Sequence, residues 1–170
     1  MSYNVSDGYK AYIRIAIVAD AEDLAENLRQ ADLDELKAGG RTSPLEALKS
    51  AVMNTDLCYV ARELDTDKVI CLFGLVVVSE QYGIIWMLGS DLLVKHRKQF
   101  IVQAQTFLDQ FAKQVKCMGN TVYSKNTLHI AWLRKLGFKF ISKIDHPVTN
   151  EPFYEFIKIC ATPCPLPLLP

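Results

Sequence analysis

The sequence predicts a mixed α/β (α+β) fold built on one sheet, and three observations carry that expectation. The chain has 170 residues, 50% hydrophobic and 22% charged, enough apolar material for one sizeable core. Its apolar spacing switches repeatedly between the strand and helix periods, in the order β-α-α-β-β-β-α-β-α-β-β. Residues 57–89 hold three apolar runs separated only by turns, which reads as an antiparallel meander.

Taken in order, Tyr12 to Ala19 is rich in β-branched residues and reads as a first strand. Asp20 reads as the N-cap of a helix, with Asp23 three residues on as a near capping box. Leu24, Leu28 and Ala31 follow at helical spacing, and Ala31 to Lys37 continues helical up to Gly39-Gly40. Ser43-Pro44 opens a second helix, a cap followed by proline at the first helical position, with Leu45, Leu48 and Val52 as its apolar stripe. The meander comprises Leu57 to Glu63, a turn at Asp65-Thr66-Asp67, Val69 to Val78, a turn at Gln81-Tyr82-Gly83, and Ile84 to Leu88. Val69 to Val78 is nearly all apolar, as expected of a central strand covered on both faces. Gln99 to Val115 is amphipathic at helical period. Thr121 to Tyr123 reads as a short strand, Phe138 to Ile144 as another, and Phe153 to Cys160 as the last.

Residues 1–160 are expected to form a single domain, followed by a proline-alternating tail over 161–170 that cannot join a central strand. Net charge is zero, which argues against a strongly electrostatic nucleic-acid binder, and no nucleic-acid partner is expected. The five cysteines, Cys58, Cys71, Cys117, Cys160 and Cys164, are scattered without a C-x-x-C pair, so they read as free thiols in a reducing compartment and no metal site is expected. Met1 to Lys10 lacks the apolar core of a signal peptide, and no apolar run reaches transmembrane length, so a cytoplasmic location is the expectation.

The most informative stretch is Asn126 to Phe138. Asn126 is placed to cap a helix, Ile130, Leu133 and Leu136 recur at helical spacing, and Gly137 stands where a helix end favours positive φ. With the element order, this stretch resembles the GNAT superfamily of N-acetyltransferases, over roughly residues 11 to 160. The resemblance implies a GNAT-like mixed sheet of about seven strands with helices on both faces. It implies acetyl-CoA as cofactor and an amine as substrate. Carried over by position, Met87, Leu88 and Gly89 would offer backbone groups to the acetyl thioester. Arg97, Lys98 and Gln99 would open the helix that cradles the pyrophosphate, and Asn126 would cap the helix flanking the cleft.

Two departures from the family pattern are legible. The tyrosine that often protonates the departing thiolate falls at Leu133. The two glycines of the pyrophosphate loop fall at Phe100 and Val102, whose side chains should obstruct close approach of phosphate to backbone. Candidates for catalytic work are therefore Tyr123, as a substitute acid, His129, whose other reading is a packed residue, and Asp91, whose other reading is a loop or capping residue.

A narrower resemblance is carried by Ile15-Ala16 leading into Ala19 to Leu24, by Ser43-Pro44, by Ile85 to Ser90, and by Asn126 to Phe138 with His129-Ile130-Ala131-Trp132-Leu133. These are similar to the GNAT-like proteins of podovirus-type bacteriophages, including the internal virion protein family. That resemblance implies a structural or assembly role, with phage virion proteins as partners and the host cytoplasm or the virion as location. The other reading is an active acetyl-CoA-dependent N-acetyltransferase acting on a primary amine.

Overall fold

The computed structural model describes residues 10–160. The polar start at 1–9, the tail at 161–170 and Cys164 lie outside the described residues. The elements are β1 (Ala11–Ile15), α1 (Val18–Asn27), α2 (Gln30–Ala38), α3 (Pro44–Met53), β2 (Leu57–Glu63), β3 (Val69–Val77), β4 (Tyr82–Gly89), α4 (Leu92–Lys95), α5 (Arg97–Phe111), β5 (Cys117–Tyr123), α6 (Thr127–Lys135), β6 (Lys139–Asp145) and β7 (Pro152–Ile159). The seven strands form one sheet in the order β1-β2-β3-β4-β5-β7-β6.

The meander pairs as expected, with β3 between β2 and β4. Helices cover both faces, as the fold class requires. One face carries α5 and α6 on a core that includes Phe107, Phe111, Met118, Val122, Ile130 and Leu133. The other carries α1 and α3 over Leu24, Leu48, Val60 and Leu72. Cys58, Cys71 and Cys160 are buried free thiols, and burial pushes Cys58 and Cys71 up to about 12.

Several boundaries differ from expectation. Asp20 is not the N-cap of α1; Ile17 is, and Asp20 stands at the third helical position, accepting from the Ile17 N–H at 2.8 Å. The chain between Leu28 and Arg29 leaves the helix and bridges Ser90, which separates α1 from α2. The long helix starts earlier than expected, at Arg97 after the short α4, and ends at Phe111. β5 begins at Cys117 rather than Thr121, across Gly119, where a Cβ would stand 2.5 Å from the Phe156 carbonyl oxygen. The caps of α3 and α6 form as the sequence suggests: Ser43 accepts from the Glu46 N–H, Asn126 accepts from the His129 N–H, and Gly137 has φ 84.

Asp20 holds the α1 end of the sheet together. Its fully buried carboxylate takes both Arg14 guanidinium nitrogens at 2.7 Å and Arg62 at 2.8 Å. Burial pushes the carboxyl up, but the bonds from Arg14, the Ile17 N–H and Arg62 outweigh it and hold it below the usual range. A depressed carboxyl gives stability that is present above its unfolded value and lost as pH falls. Asp20→Ala should therefore cost about 3–5 kcal/mol in urea unfolding, because it strands two guanidinium groups. Asp20→Asn should flatten the acid limb of the stability curve below about pH 4.

Candidate active site

β4 and β5 are parallel, joined by the α4–α5 crossover that such a pair needs. They pair over only three positions, Tyr82↔Cys117, Gly83↔Met118 and Ile84↔Gly119. Beyond these the strands part. The Asn120 carboxamide donates to the Ile85 carbonyl at 2.9 Å, so a side chain stands where the next ladder bond would be. The Ser90 N–H donates to the Ile70 carbonyl on β3. Antiparallel alternation then turns Leu88 and Trp86 toward β3, and the N–H and C=O of Met87 and Gly89 toward the opening.

Gly89 does not keep its peptide groups free. Its N–H donates to Asp32 at 2.7 Å and its carbonyl accepts from the Arg29 N–H at 3.0 Å. Met87 is thus the residue whose backbone faces the gap. A cavity of about 510 Å³ passes through the opening, lined by Met87, Gln99, Phe100, His129 and Trp132 among others, and by Glu35, Arg41 and Ser50 from α2 and α3 and the loop between them.

A buried polar cluster stands at the wide end of the opening. Asp32 accepts from Arg29 at 2.7 Å and from Asn126 at 3.3 Å, besides Gly89. The same Asn126 carboxamide donates to Glu35 at 2.7 Å. Burial pushes the Glu35 carboxyl up to about 7, and the nearby Asp32 charge adds to this; Asn126, Arg29 and the Tyr123 N–H oppose it. Burial pushes the His129 imidazole down to about 4. Its Nδ1 is buried without a hydrogen-bond partner. Asp32, Glu35 and His129 bring ligand atoms within 4.8 Å of one another, yet the Asp32 oxygens already accept from three donors, one of them a guanidinium.

At the start of α5, the basic cluster divides. Lys95 and His96 are bound to Glu63, at 2.8 and 2.9 Å. Arg97 and Lys98 are exposed and join no ion pair among the described residues. Phe100 packs against Trp132 with ring centroids 5.1 Å apart and planes tilted by 45°, and narrows the gap between α5 and α6. Val102, expected to obstruct the same place, is 60% exposed and does not line the cavity.

Of the residues singled out from the sequence, Met87, Leu88, Gln99 and His129 line the cavity, and Arg97 and Lys98 stand on the first turn of α5. Gly89 and Asn126 belong to the polar cluster. Tyr123 is not placed to act as an acid there: its hydroxyl donates to Glu151 at 2.6 Å and its ring packs on Phe153. Asp91 is exposed at the start of α4, outside the cavity lining. Sequence reasoning missed Glu35, Asp32 and Arg29. The one signal in the sequence was the Asp32–Glu35 spacing of three on a helix, which also describes a solvated face.

No protein-family model matches the sequence, and no curated protein matches it. Solved structures do. Ard1 from Thermoplasma volcanium superposes with a TM-score of 0.67 at 16% identity, covering 90% of this chain and 99% of its own. A GNAT-family acetyltransferase from Bacillus anthracis gives 0.65 at 12% identity, covering 89% and 95%. RimL, a ribosomal L7/L12 α-N-protein acetyltransferase in complex with coenzyme A, gives 0.64 at 12% identity, covering 94% and 98%. With its strand order and the parting of β4 from β5, this chain has the fold of the GNAT acetyltransferases.

Proposed function

We propose that this protein is an acetyl-CoA-dependent N-acetyltransferase acting on a primary amine. One observation carries the reading: the cavity that crosses the sheet brings an unpaired strand backbone, at Met87, and a carboxyl with a value near 7, Glu35, to one opening. The reading is supported by proteins of the same fold, AAC(6')-Ib described with acetyl-CoA and RimL described with coenzyme A. Acetyl-CoA supplies an acetyl thioester, whose C–S bond breaks as the amine nitrogen forms its C–N bond.

The chain's own groups then have distinct work. The first-turn N–H groups of α5, its dipole, and Arg97 and Lys98 hold the pyrophosphate. Met87 directs its N–H at the opening, where a backbone donor stabilises negative charge on a carbonyl oxygen. Glu35 takes the proton that the amine loses, at a value suited to exchange near neutral pH. His129, one turn before Leu133 on the same face of α6, presents a neutral imidazole to the cavity.

The departures at Phe100, Val102 and Leu133 leave the virion-assembly reading as the alternative. Val102 faces solvent, and no feature of the cavity favours that reading over catalysis.

Titration with acetyl-CoA tests the proposal. Saturation at 100 times the dissociation constant should stabilise the fold by about 2.7 kcal/mol. Absence of binding up to millimolar concentration defeats it. Arg97→Ala should weaken binding by about tenfold, the worth of one charge-assisted hydrogen bond.

Glu35→Gln should lower kcat/KM by about 10²–10⁴. In the parent enzyme kcat/KM should rise with pH through about 7 as Glu35 loses its proton, and the variant should lose that limb. The stability effect has the opposite sense. A carboxyl raised on folding stabilises fully below its unfolded value, and that stability is lost as pH rises through the folded one. Denaturation at pH 5 and pH 8 should show a loss on the order of 3 kcal/mol in the parent that is absent in Glu35→Gln.

A further inference from the structure

We infer that the acceptor amine is a free amino acid with an apolar side chain, bound amine inward at Glu35 and carboxylate outward at Arg41. The inference rests on the acetyltransferase reading above. It comes from the charges of the half of the cavity that lies on the α1–α3 side of the sheet.

Among the described residues that line the cavity, Glu35 is the only carboxyl and Arg41 the only guanidinium, and no lysine joins them. Glu35 marks the inner end. Its partners are Asn126 and the Tyr123 N–H, at the end of β5 and the start of α6. Arg41 marks the outer end. It is exposed, and its side chain enters no hydrogen bond or ion pair among the described residues.

The backbone that carries Arg41 is nonetheless fixed. Its N–H donates to the Leu36 carbonyl at 2.8 Å, Gly40 turns the chain with φ 74, and the Thr149 hydroxyl donates to the Ala38 carbonyl. The loop therefore presents an exposed guanidinium whose donors are uncommitted among the described residues, which suits a planar carboxylate. Gly39, on the same wall, lies four residues beyond Glu35, about 6 Å along the helix. That wall runs from Glu35 on α2 to the loop that carries Arg41.

Between the two charges the walls offer little polarity. Trp86 Nε1 donates to Thr55 Oγ1 at 2.9 Å, and that hydroxyl donates to the Ala51 carbonyl at 2.6 Å. The Asn54 carboxamide donates to the Ser50 carbonyl at 2.7 Å. Most of these donors are spent within the wall, and Leu36, Ala47, Ala51, Val76 and Leu88 make up much of the rest, so the body of the acceptor meets a largely apolar surface. A polyamine or an aminoglycoside would bring further ammonium groups to a chamber that has one carboxyl and a cation at its mouth. The free amino acid leaves neither charge unmatched.

The test compares each apolar amino acid with its decarboxylated amine, leucine with 3-methylbutylamine for instance, and includes spermidine. Coenzyme A release is followed with the full chain. The amino acid should exceed its decarboxylated partner in kcat/KM by about tenfold or more, and Arg41→Gln should bring that ratio toward one. Equal rates on the two, a preference for spermidine, or a ratio that Arg41→Gln leaves unmoved would overturn the inference. A parallel calorimetric titration uses the amino acids without acetyl-CoA. Binding that weakens in Arg41→Gln supports the site even if acetyl-CoA fails to bind, in which case the acetyltransferase reading fails alone. Absence of binding and turnover for every amino acid, in a protein that does bind acetyl-CoA, defeats the acceptor assignment alone. Arg41 is exposed in a loop, and an unchanged melting temperature in the variant confirms that only the mouth has altered.

Discussion

The carboxylate of Asp32 is the link on which the opening depends. It is fully buried and accepts from the Arg29 guanidinium, the Gly89 N–H and the Asn126 carboxamide. These donors belong to the start of α2, the end of β4 and the cap of α6. A carboxylate buried without such partners would be strongly unfavourable, so the three elements are held in one arrangement. The Gly89 carbonyl accepts from Arg29 as well. With both of its peptide groups committed to the start of α2, the end of β4 cannot pair with β5. The gap at Met87 is the consequence.

The same link shapes the surroundings of the second acid on α2, one turn on from Asp32. Asp32 has a guanidinium at 2.7 Å, whereas Glu35 enters no ion pair among the described residues. Glu35 is raised by its burial first and then by Asp32, and the bond from Asn126 only partly offsets them. Stability and chemistry pull against each other at this position. A glutamine would remove the unfavourable charge and with it the proton acceptor that the proposed reaction uses.

Much of the fold was legible because its signals are local. The apolar run of β3, the Ser43-Pro44 start of α3, and Asn126 with Gly137 around α6 each specify their element within a few residues. What was not legible depends on docking. Asp32 and Glu35 on α2 have the spacing of a solvated acidic face, and only packing against the ends of β4 and β5 makes them buried. Gly119 and Asn120 look like turn residues, yet the first admits the Phe156 carbonyl and the second bridges to Ile85 inside β5. Val102 falls at a glycine position of the family loop, but α5 already begins at Arg97, so Val102 is in its second turn and turned to solvent.

The basic residues before α5 show how one sequence cluster can serve two ends. Hydrogen bonds from Lys95, His96 and Thr66 hold the Glu63 carboxyl down to about 2 and tie the α4–α5 junction to the end of β2. Lys95 and His96 are spent on position. Arg97 and Lys98, next in sequence, are left on the outer side of the first turn. On the inner side Phe100 rests on Trp132, whose indole is itself within 5.4 Å of the Arg29 guanidinium. This contact ties the inner side of α5 to the Asp32 cluster and takes up space that glycine would leave open. An anion at this helix start is therefore directed to the outer side, toward the two cations that no carboxylate holds.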